Sequence, residues 1–556
     1  MSKKSAKTRI SKTGLATVVK TKADYLNKEK YPSYQRELKE EFIAVLLTNQ
    51  MRDTFYANAK DLSKDAIETH KKMIDKDLAF YIKALAYARN YGYARLQPQV
   101  GLVNLSTKDM KAFRRVFKKV CLIPTDLKDF IDFAKSGVFR KGLGTGVKKA
   151  INSWLRYNLS EYYALKYGTE LRDAIRMARP SEKYIGDKSL IVDWLMENPK
   201  NLNKLPQISA FEKLKVSKDN KEILELISDG KLPLEIVTPF IKTREQWREL
   251  AKQMPYFALV RNLNTLRRHG CFDKKFTEFV AKKLANEEVI LKSKVYPFRF
   301  YDAYRMVSST DRKEYYPERD YLKGKPVPRP ENLVPELLEG IELEEPATVE
   351  TFNKEIPEEV KEALEQAFKI SFKNVPEIKG KTAVAVDVSG SMQGKYKEIA
   401  ATLGMGLLMK AQKKGIICFD DKLHIVEIDL NKPLKTIERV CEAGNGGTNI
   451  SLPVQYLTDN KINVDNIVII SDMEEWIDEG FLESFTKYKD KINPNVKAFL
   501  INISPYKDYP APSKTENVYV IGGWNDQVLN YIALITSMGD QIKAIEQSDA
   551  YGEKKK

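Results

Sequence analysis

Thr382-Ala383-Val384-Ala385-Val386-Asp387-Val388-Ser389-Gly390-Ser391 decides how the second half of the chain folds. Its first five residues form the short apolar run of a buried parallel strand. The run ends on an aspartate, and two serines follow at alternate positions. A second run, Ile467-Val468-Ile469-Ile470-Ser471, also ends on an aspartate, Asp472. Between them, Gly446-Gly447-Thr448 offers a hydroxyl in a glycine-rich loop. Ligands of open α/β sheets collect at the carboxyl ends of strands, where both aspartates stand. Asp387, Ser389, Ser391, Thr448 and Asp472 are hard oxygen donors, suited to Mg²⁺ or a similar divalent cation. Ser389 and Ser391 are expected to ligate directly, and Thr448 and the two aspartates directly or through water. Gly390 is expected to permit the tight turn. So few protein groups leave coordination positions open to a partner's carboxylate or to a phosphate.

Outward from this stretch the pattern alternates. Strands are expected near 382–388, 415–420, 423–429, 466–471, 496–503 and 517–521, and helices near 395–413, 433–442, 479–490 and 525–536. Such alternation predicts a doubly wound, Rossmann-like α/β domain over 376–545, with a short tail at 546–556. Before it, residues 31–375 read as helical, apart from a Pro-rich acidic excursion at 325–356. A helix is expected from Glu358 to Phe372. Many short helices in series suit an α-solenoid whose stacked pairs share a core. In the clearest helix, Gly146 to Tyr157, Val147, Ala150, Ile151, Trp154 and Leu155 share one apolar face, and Lys148, Asn152 and Arg156 line another. Residues 1–30 read as a flexible basic arm.

Charge divides the chain near the start of the acidic excursion. Residues 1–330 carry 67 Lys and Arg against 39 Asp and Glu, a net +28; the rest carry 26 against 37, a net −11. A polyanionic partner is therefore expected for the first part only. Phosphate binding by such a surface rests on charge and counterion release. The candidates are Lys118, Lys119, Arg140, Lys141, Lys148, Lys149, Lys166, Arg172, Arg176, Arg179, Arg261, Arg267 and Arg268. Arg261 follows an apolar run, and a structural role anchoring a helix end competes with contact there. The cysteines, Cys121, Cys271, Cys418 and Cys441, form no Cys-x-x-Cys pair, so neither a disulfide framework nor a zinc site is indicated, and a reducing, cytoplasmic setting fits. No apolar run approaches the ~18 residues of a membrane span, and Met1 to Lys20 lacks the apolar core of a secretory signal.

Several blocks resemble the TROVE-domain family, the Ro RNA-binding autoantigens and their bacterial relatives. They are Val120-Cys121-Leu122-Ile123-Pro124-Thr125, Gly146-Val147-Lys148-Lys149-Ala150-Ile151 closed by Trp154, Met254-Pro255-Tyr256-Phe257-Ala258-Leu259-Val260-Arg261-Asn262-Leu263, Val295-Tyr296-Pro297-Phe298, and Gly446-Gly447-Thr448-Asn449-Ile450-Ser451-Leu452-Pro453. The resemblance extends from about 35 to 540. The Asp-x-Ser-x-Ser run with its later Thr and Asp resembles the metal-ion-dependent adhesion site of von Willebrand factor A domains. The resemblance implies a HEAT-like ring of helical repeats joined to such an A domain. It implies small structured Y RNAs on an outer surface, and single-stranded 3′ ends of misfolded RNA in a basic hole. It further implies RNA quality control or decay, sometimes beside an exoribonuclease, by a monomer in a ribonucleoprotein. Within Ile175-Arg176-Met177-Ala178-Arg179-Pro180, Arg179 stands where the family usually has His. Two upstream basic positions of the animal proteins fall on Tyr162 and Lys166, and the tyrosine exchanges charge for a ring that can stack on a base.

Three functions compete. One is a non-catalytic RNA-binding scaffold. Another is a protein-interaction adaptor whose metal site grips a partner's carboxylate. The third is a metal-dependent nuclease, since an open cation can activate water and Glu474 and Glu475 lie near the site. His70, His269 and His424 lie outside the motif, so no nucleophile–base arrangement can be named, and no catalytic residue is expected.

Overall fold

The computed structural model describes residues 25–26, 32–33, 37–48, 59–92, 94–293, 295, 297–308, 355–375, 378–411, 415–474, 480–504, 510–511, 515–522 and 541–549. Most of the expected arm and of the Pro-rich excursion, Glu475, Tyr296 and the helix expected at 525–536 lie outside them. Two compact units separate between Asn374 and Val375, and the sheet's unit also takes in the N-terminal residues through Tyr81.

In that unit, β1 (Tyr25–Leu26) pairs antiparallel with β2 (Pro32–Ser33), inside and just beyond the segment read as an arm. Helices α1 (Leu38–Thr48) and α2 (Ala59–Lys76) follow. Phe42 of α1 stacks on Tyr81 with ring centroids 5.0 Å apart, and His70 shares a buried hydrogen bond of 2.8 Å with Tyr81.

The other unit is helical. Its first part contains α3 (Leu78–Asn90, its last nine residues in this unit), α4 (Leu96–Lys108), α5 (Met110–Val120), α6 (Pro124–Lys135), α7 (Gly144–Asn158), α8 (Glu161–Lys166) and α9 (Gly168–Ala178), with the single turn α10 at Glu182–Ile185. Further helices run to Ser308, and one more spans Glu358–Ser371. The apolar face expected on α7 is the buried one: Val147, Ala150, Ile151, Trp154 and Leu155. Trp154 donates its indole N–H to the carbonyl of Cys121 at 2.9 Å, tying α7 to the end of α5. Beneath them Asp126 is fully buried and accepts from Arg89 at 2.8 Å and from the backbone of Leu122 at 2.9 Å and Ile123 at 3.2 Å. A buried charge without such partners would cost several kcal/mol.

The sheet is mixed, in the order β5-β4-β3-β6-β7-β8. Its strands are β3 (Thr382–Asp387), β4 (Ile416–Phe419), β5 (Leu423–His424), β6 (Asn466–Ser471), β7 (Lys497–Asn502) and β8 (Val518–Gly522). All pair in parallel except β5, an antiparallel edge to β4. The strand expected over 423–429 thus stops at His424, and Ile425 beyond it is fully exposed, so its side chain buries no apolar surface there. Alternation sorts the strands into two faces. Ala383, Ala385, Ile467, Ile469, Ala498 and Leu500 pack with Val454, Leu457, Phe481 and Phe485 in one core. Helix α11 (Lys395–Lys410) packs on β3 from the other face, where Gly404 lies against Val384 and Val386. Helices α12 (Pro433–Glu442) and α14 (Phe481–Lys491) stand where the alternation predicts them. Helix α13 (Leu452–Asp459) lies where the alternation predicts none; Gly446–Gly447 and Pro453 mask it as loop, although Pro suits a first helical turn.

Candidate metal centre and basic helical surface

The chain leaves β3 for β4 on one side and later returns to β6 on the other. That reversal opens a crevice between the carboxyl ends of β3 and β6. Asp387 ends β3 and Asp472 directly follows β6, so the topology alone puts one carboxylate on each lip.

Asp387, Ser389, Ser391, Thr448 and Asp472 are all buried. Asp387 accepts from the Ser389 N–H at 2.9 Å and from the Ser471 hydroxyl at 2.5 Å. The Ser389 and Ser391 hydroxyl oxygens lie 3.3 Å apart. Thr448 is carried in by its loop: Gly390 donates its N–H to the Gly446 carbonyl at 2.8 Å. Gly390 serves close approach rather than an unusual turn. It has no positive φ, but a Cβ there would lie 3.3 Å from the Asn445 carbonyl oxygen. The left-handed glycine of the site is Gly444, at φ 72°, where a Cβ would meet the Val388 carbonyl oxygen at 2.5 Å. Asn445 (φ 116°) and Met473 (φ 66°) are non-glycine residues held at positive φ beside the two halves of the crevice. Backbone of this kind persists only where its surroundings over-determine it.

Several residues that hold the site carry no motif signal. Asp420, just past β4, accepts from the Gly446 N–H at 2.9 Å and the Lys422 N–H at 3.0 Å, and its carbonyl accepts from Asn449 at 2.9 Å. Its carboxylate lies 2.7 Å from His424 Nε2, so a histidine outside the motif buttresses the threonine loop. Burial pushes Asp420 up, but the Gly446 N–H, His424 and further donors outweigh it and hold the carboxyl below its usual range. Lys397, on α11, is buried and donates to Ala443 O and to Asn445 Oδ1, both at 2.8 Å. Burial lowers its pKa. A loop donor directly after a pair of glycines is visible in a sequence. The carboxylate and ammonium that clamp the turn are not, since they are distant along the chain.

Burial raises Asp387 well above the usual carboxylate range, against the pull of its hydrogen bonds. Asp472 is pushed up to about 7, by burial first and by the charge of Asp387 second. Among the described residues, the buried Asp472 Oδ2 has no hydrogen-bond partner. An orphaned, desolvated carboxylate oxygen beside a second carboxylate and two hydroxyls is the environment a divalent cation relieves. The donor set therefore fits a hard cation, with Asp387, Ser389, Ser391, Thr448 and Asp472 as the holding residues. Glu474 is buried next to Asp472 and donates its N–H to Asp472 Oδ1 at 3.3 Å.

In the helical unit the thirteen basic candidates separate into three kinds. Lys118, Lys141, Lys148, Lys149, Arg176, Arg179, Arg261 and Arg268 are exposed, and Lys119 and Arg267 are half-buried. Arg140 is committed to the fold: its guanidinium donates to Ser106 Oγ at 2.7 Å and to the carbonyls of Gly142 and Leu143, so the loop before α7 is pinned. Lys166 lies 2.7 Å from Glu235, and Arg172 is buried 3.6 Å from Glu197. Helices α7 and α9 adjoin, with Asn152 donating to the Ala178 carbonyl at 3.4 Å. Arg179 caps α9 in the left-handed region, φ 49°. Arg261, for which a buried anchoring role competed, is exposed. Its guanidinium sits 6.0 Å from the Phe257 ring, and that of Arg299, which drew no attention in the sequence, sits 5.9 Å from the same ring.

Residues 240–380 match the model of the TROVE domain, and residues 381–534 match that of the Ro60 vWA domain. The RNA-binding protein RO60 of Caenorhabditis elegans is 23% identical over 448 residues, a match that takes in 67% of this chain and 64% of that protein, a little under two thirds. The RNA-binding protein RO60 of Deinococcus radiodurans is 22% identical over 457 residues, with 76% of this chain and 78% of that protein covered. The crystal structure of the Deinococcus radiodurans Ro (RSR) protein superposes with a TM-score of 0.63 at 17% identity, covering 90% of this chain and all of that one. Helical N-terminal region, mixed sheet and the two adjoining family models agree, and the chain belongs to the Ro family: a TROVE protein with a von Willebrand factor A domain.

Proposed function

We propose that the chain binds RNA through its helical unit, as a Ro-type protein of cytoplasmic RNA quality control or decay that does not itself cut RNA. A small structured, Y-like RNA lies on the face that α7 and α9 share. An unpaired 3′ end of a misfolded RNA is held near Arg261, Arg267 and Arg268. An exoribonuclease partner supplies any cleavage. The observation that carries this reading is the exposure of Lys148, Lys149, Arg176 and Arg179 on two adjoining helices in a region of net charge +28. The two curated relatives are named RNA-binding proteins, in keeping with it. Structured RNA is recognised mainly through shape and backbone, which suits a basic helical face. The test is filter binding of a structured RNA by wild type and by the triple variant Lys148→Ala, Lys149→Ala, Arg179→Ala. Binding by the wild type, weakened in the variant, is expected; equal binding would misplace the surface.

The crevice of the A domain holds a divalent cation, Mg²⁺ in the cell. Bound there, the cation supplies a Lewis-acidic open position for an anionic group. The chain's own residues fix it between two strand ends and exclude bulk water. The adaptor reading, a partner carboxylate gripped at that position, rests on the orphaned Asp472 Oδ2. It adds to RNA binding rather than replacing it.

A further inference from the structure

One face of α7 carries more than charge. Lys148, Asn152 and Arg156 recur at four-residue spacing and so form a single stripe. Asn152 seats the end of α9, and with it Arg179, against the middle of this stripe. One turn further on, the Arg156 guanidinium sits 5.7 Å from the Tyr157 ring and 5.2 Å from the Tyr184 ring. Tyr184 belongs to α10, which packs on α7. Tyr157 is 73% exposed and Tyr184 39%. Among the described residues no carboxylate pairs with Arg156.

Two aromatic rings and a guanidinium held together at the surface have a specific chemical use. Aromatic faces and guanidinium planes are the groups on which unpaired bases stack, and such stacking is tolerant of sequence because every base has a π-face. Cation–π attraction holds the arginine near the rings. Lysine at the far end of the stripe and arginine at its middle stand ready for phosphates on one side of such a base. A paired duplex presents no free base face to such a stack, whereas an RNA with an unpaired nucleotide does.

We propose that Arg156, Tyr157 and Tyr184 form a stacking platform for an unpaired base of an RNA whose phosphates lie along Lys148 and Arg179. The proposal rests on the RNA-binding reading and adds what that reading lacks, a preference for an unpaired nucleotide on α7. It is tested with two synthetic hairpins, identical except that one carries a single-nucleotide bulge. Affinities are measured over a salt series for the full chain and for Tyr157→Ala, Tyr184→Ala, Tyr184→Phe and Lys148→Ala. Wild type is expected to prefer the bulged hairpin. Each tyrosine-to-alanine change should weaken that complex by about 5- to 150-fold and erase its advantage over the hairpin without the bulge, whose loop is the same. Tyr184→Phe should retain the preference. The tyrosine variants should keep the wild-type salt slope, since a stacked ring releases no counterion, while Lys148→Ala should lower it by roughly 0.7–0.9. Tyr157 is so exposed that its removal leaves the fold intact, which guards against a misfolded Tyr184→Ala. Wild type that binds both hairpins equally, or Tyr157→Ala and Tyr184→Ala variants that keep the wild-type preference for the bulged hairpin, overturns the platform alone. Wild type that binds neither hairpin overturns the RNA-binding reading and the platform with it.

Discussion

As proposed, the candidate metal centre and the basic helical surface would bind an ion in opposite ways. At the centre five donor side chains are buried, and their settings are fixed by other groups: Asp387 by Ser389 and Ser471, the threonine loop by Gly390, Asp420 and Lys397. On the helices most of the candidate charges are exposed to solvent. A binding site made of few, over-determined groups fails when one is lost. A surface of many interchangeable charges weakens by increments and answers to salt.

The sharpest way to break this contrast is Asp387→Asn. Removing a charged ligand should lower divalent-cation affinity by at least about 100-fold, since even partners behind the ligands are worth 10–100-fold in other sites. Calorimetry of the full chain with Mg²⁺ and Mn²⁺ measures it. The same change removes one of two buried, mutually repelling carboxylates. Without metal the variant should therefore unfold at the same or a higher temperature than wild type. A variant that binds Mg²⁺ normally would remove Asp387 from the ligand set. A variant that is destabilised without metal would mean that Asp387 serves the fold before it serves an ion.

The pH dependence sharpens the same point. Unfolded aspartates titrate near 3.9, while burial raises Asp387 and takes Asp472 to about 7. Between these values the folded state holds protons that the unfolded state has lost, so the metal-free protein loses stability as pH rises from about 4 to about 7. A bound cation keeps both carboxylates ionised. The melting-temperature gain from saturating Mg²⁺ should therefore be larger at pH 8 than at pH 5. An equal gain at both would show that these carboxylates do not meet the ion.

The contrast also explains what could be read from the sequence. Asp387, Ser389, Ser391, Thr448 and Asp472 were legible because strand ends announce themselves by apolar runs and the topology then converges them. Asp420, Lys397 and Ser471 were not, because what they hold is loop backbone or another side chain, and neither leaves a spacing rule. The buried face of α7 was legible from its periodicity. The burial of Arg172 and the commitment of Arg140 were not, since an arginine's role depends on whether its long side chain folds back or reaches outward. Helix α13 is masked by the glycines that precede it and by its proline, and β5 is overextended because alternation continues past the last paired residue.

Two arginines of the same list should now behave differently. Arg140→Ala removes a half-buried guanidinium that bonds Ser106, Gly142 and Leu143. Hydrogen bonds from a charged group are worth about 1.5–3 kcal/mol, so chemical denaturation should show a loss of that order. Lys148→Ala, on an exposed face, should change stability by less than about 0.5 kcal/mol. If Arg140→Ala is as silent as Lys148→Ala, the loop before α7 is not held by the guanidinium.

The smallest effect is the most diagnostic, because fold and binding should move in opposite directions at one residue. Arg179 ends α9 with φ 49°, and its N–H caps the helix by donating to Ile175 O at 2.8 Å. A residue with a Cβ pays for the left-handed region, and glycine is the usual occupant of this capping position. Arg179→Gly keeps the N–H that makes the cap, so stability should stay level or rise, by no more than about 1 kcal/mol. The exposed guanidinium is lost, so affinity for a structured RNA should fall and the salt slope should drop by roughly 0.7–0.9, one phosphate contact. Arg179→Ala should cost the same in binding without the gain in stability. Thermal melts and a salt titration on the two variants separate the terms. A glycine variant that is more stable and binds RNA as well as wild type would place Arg179 with the residues that shape the surface rather than with those that touch phosphate.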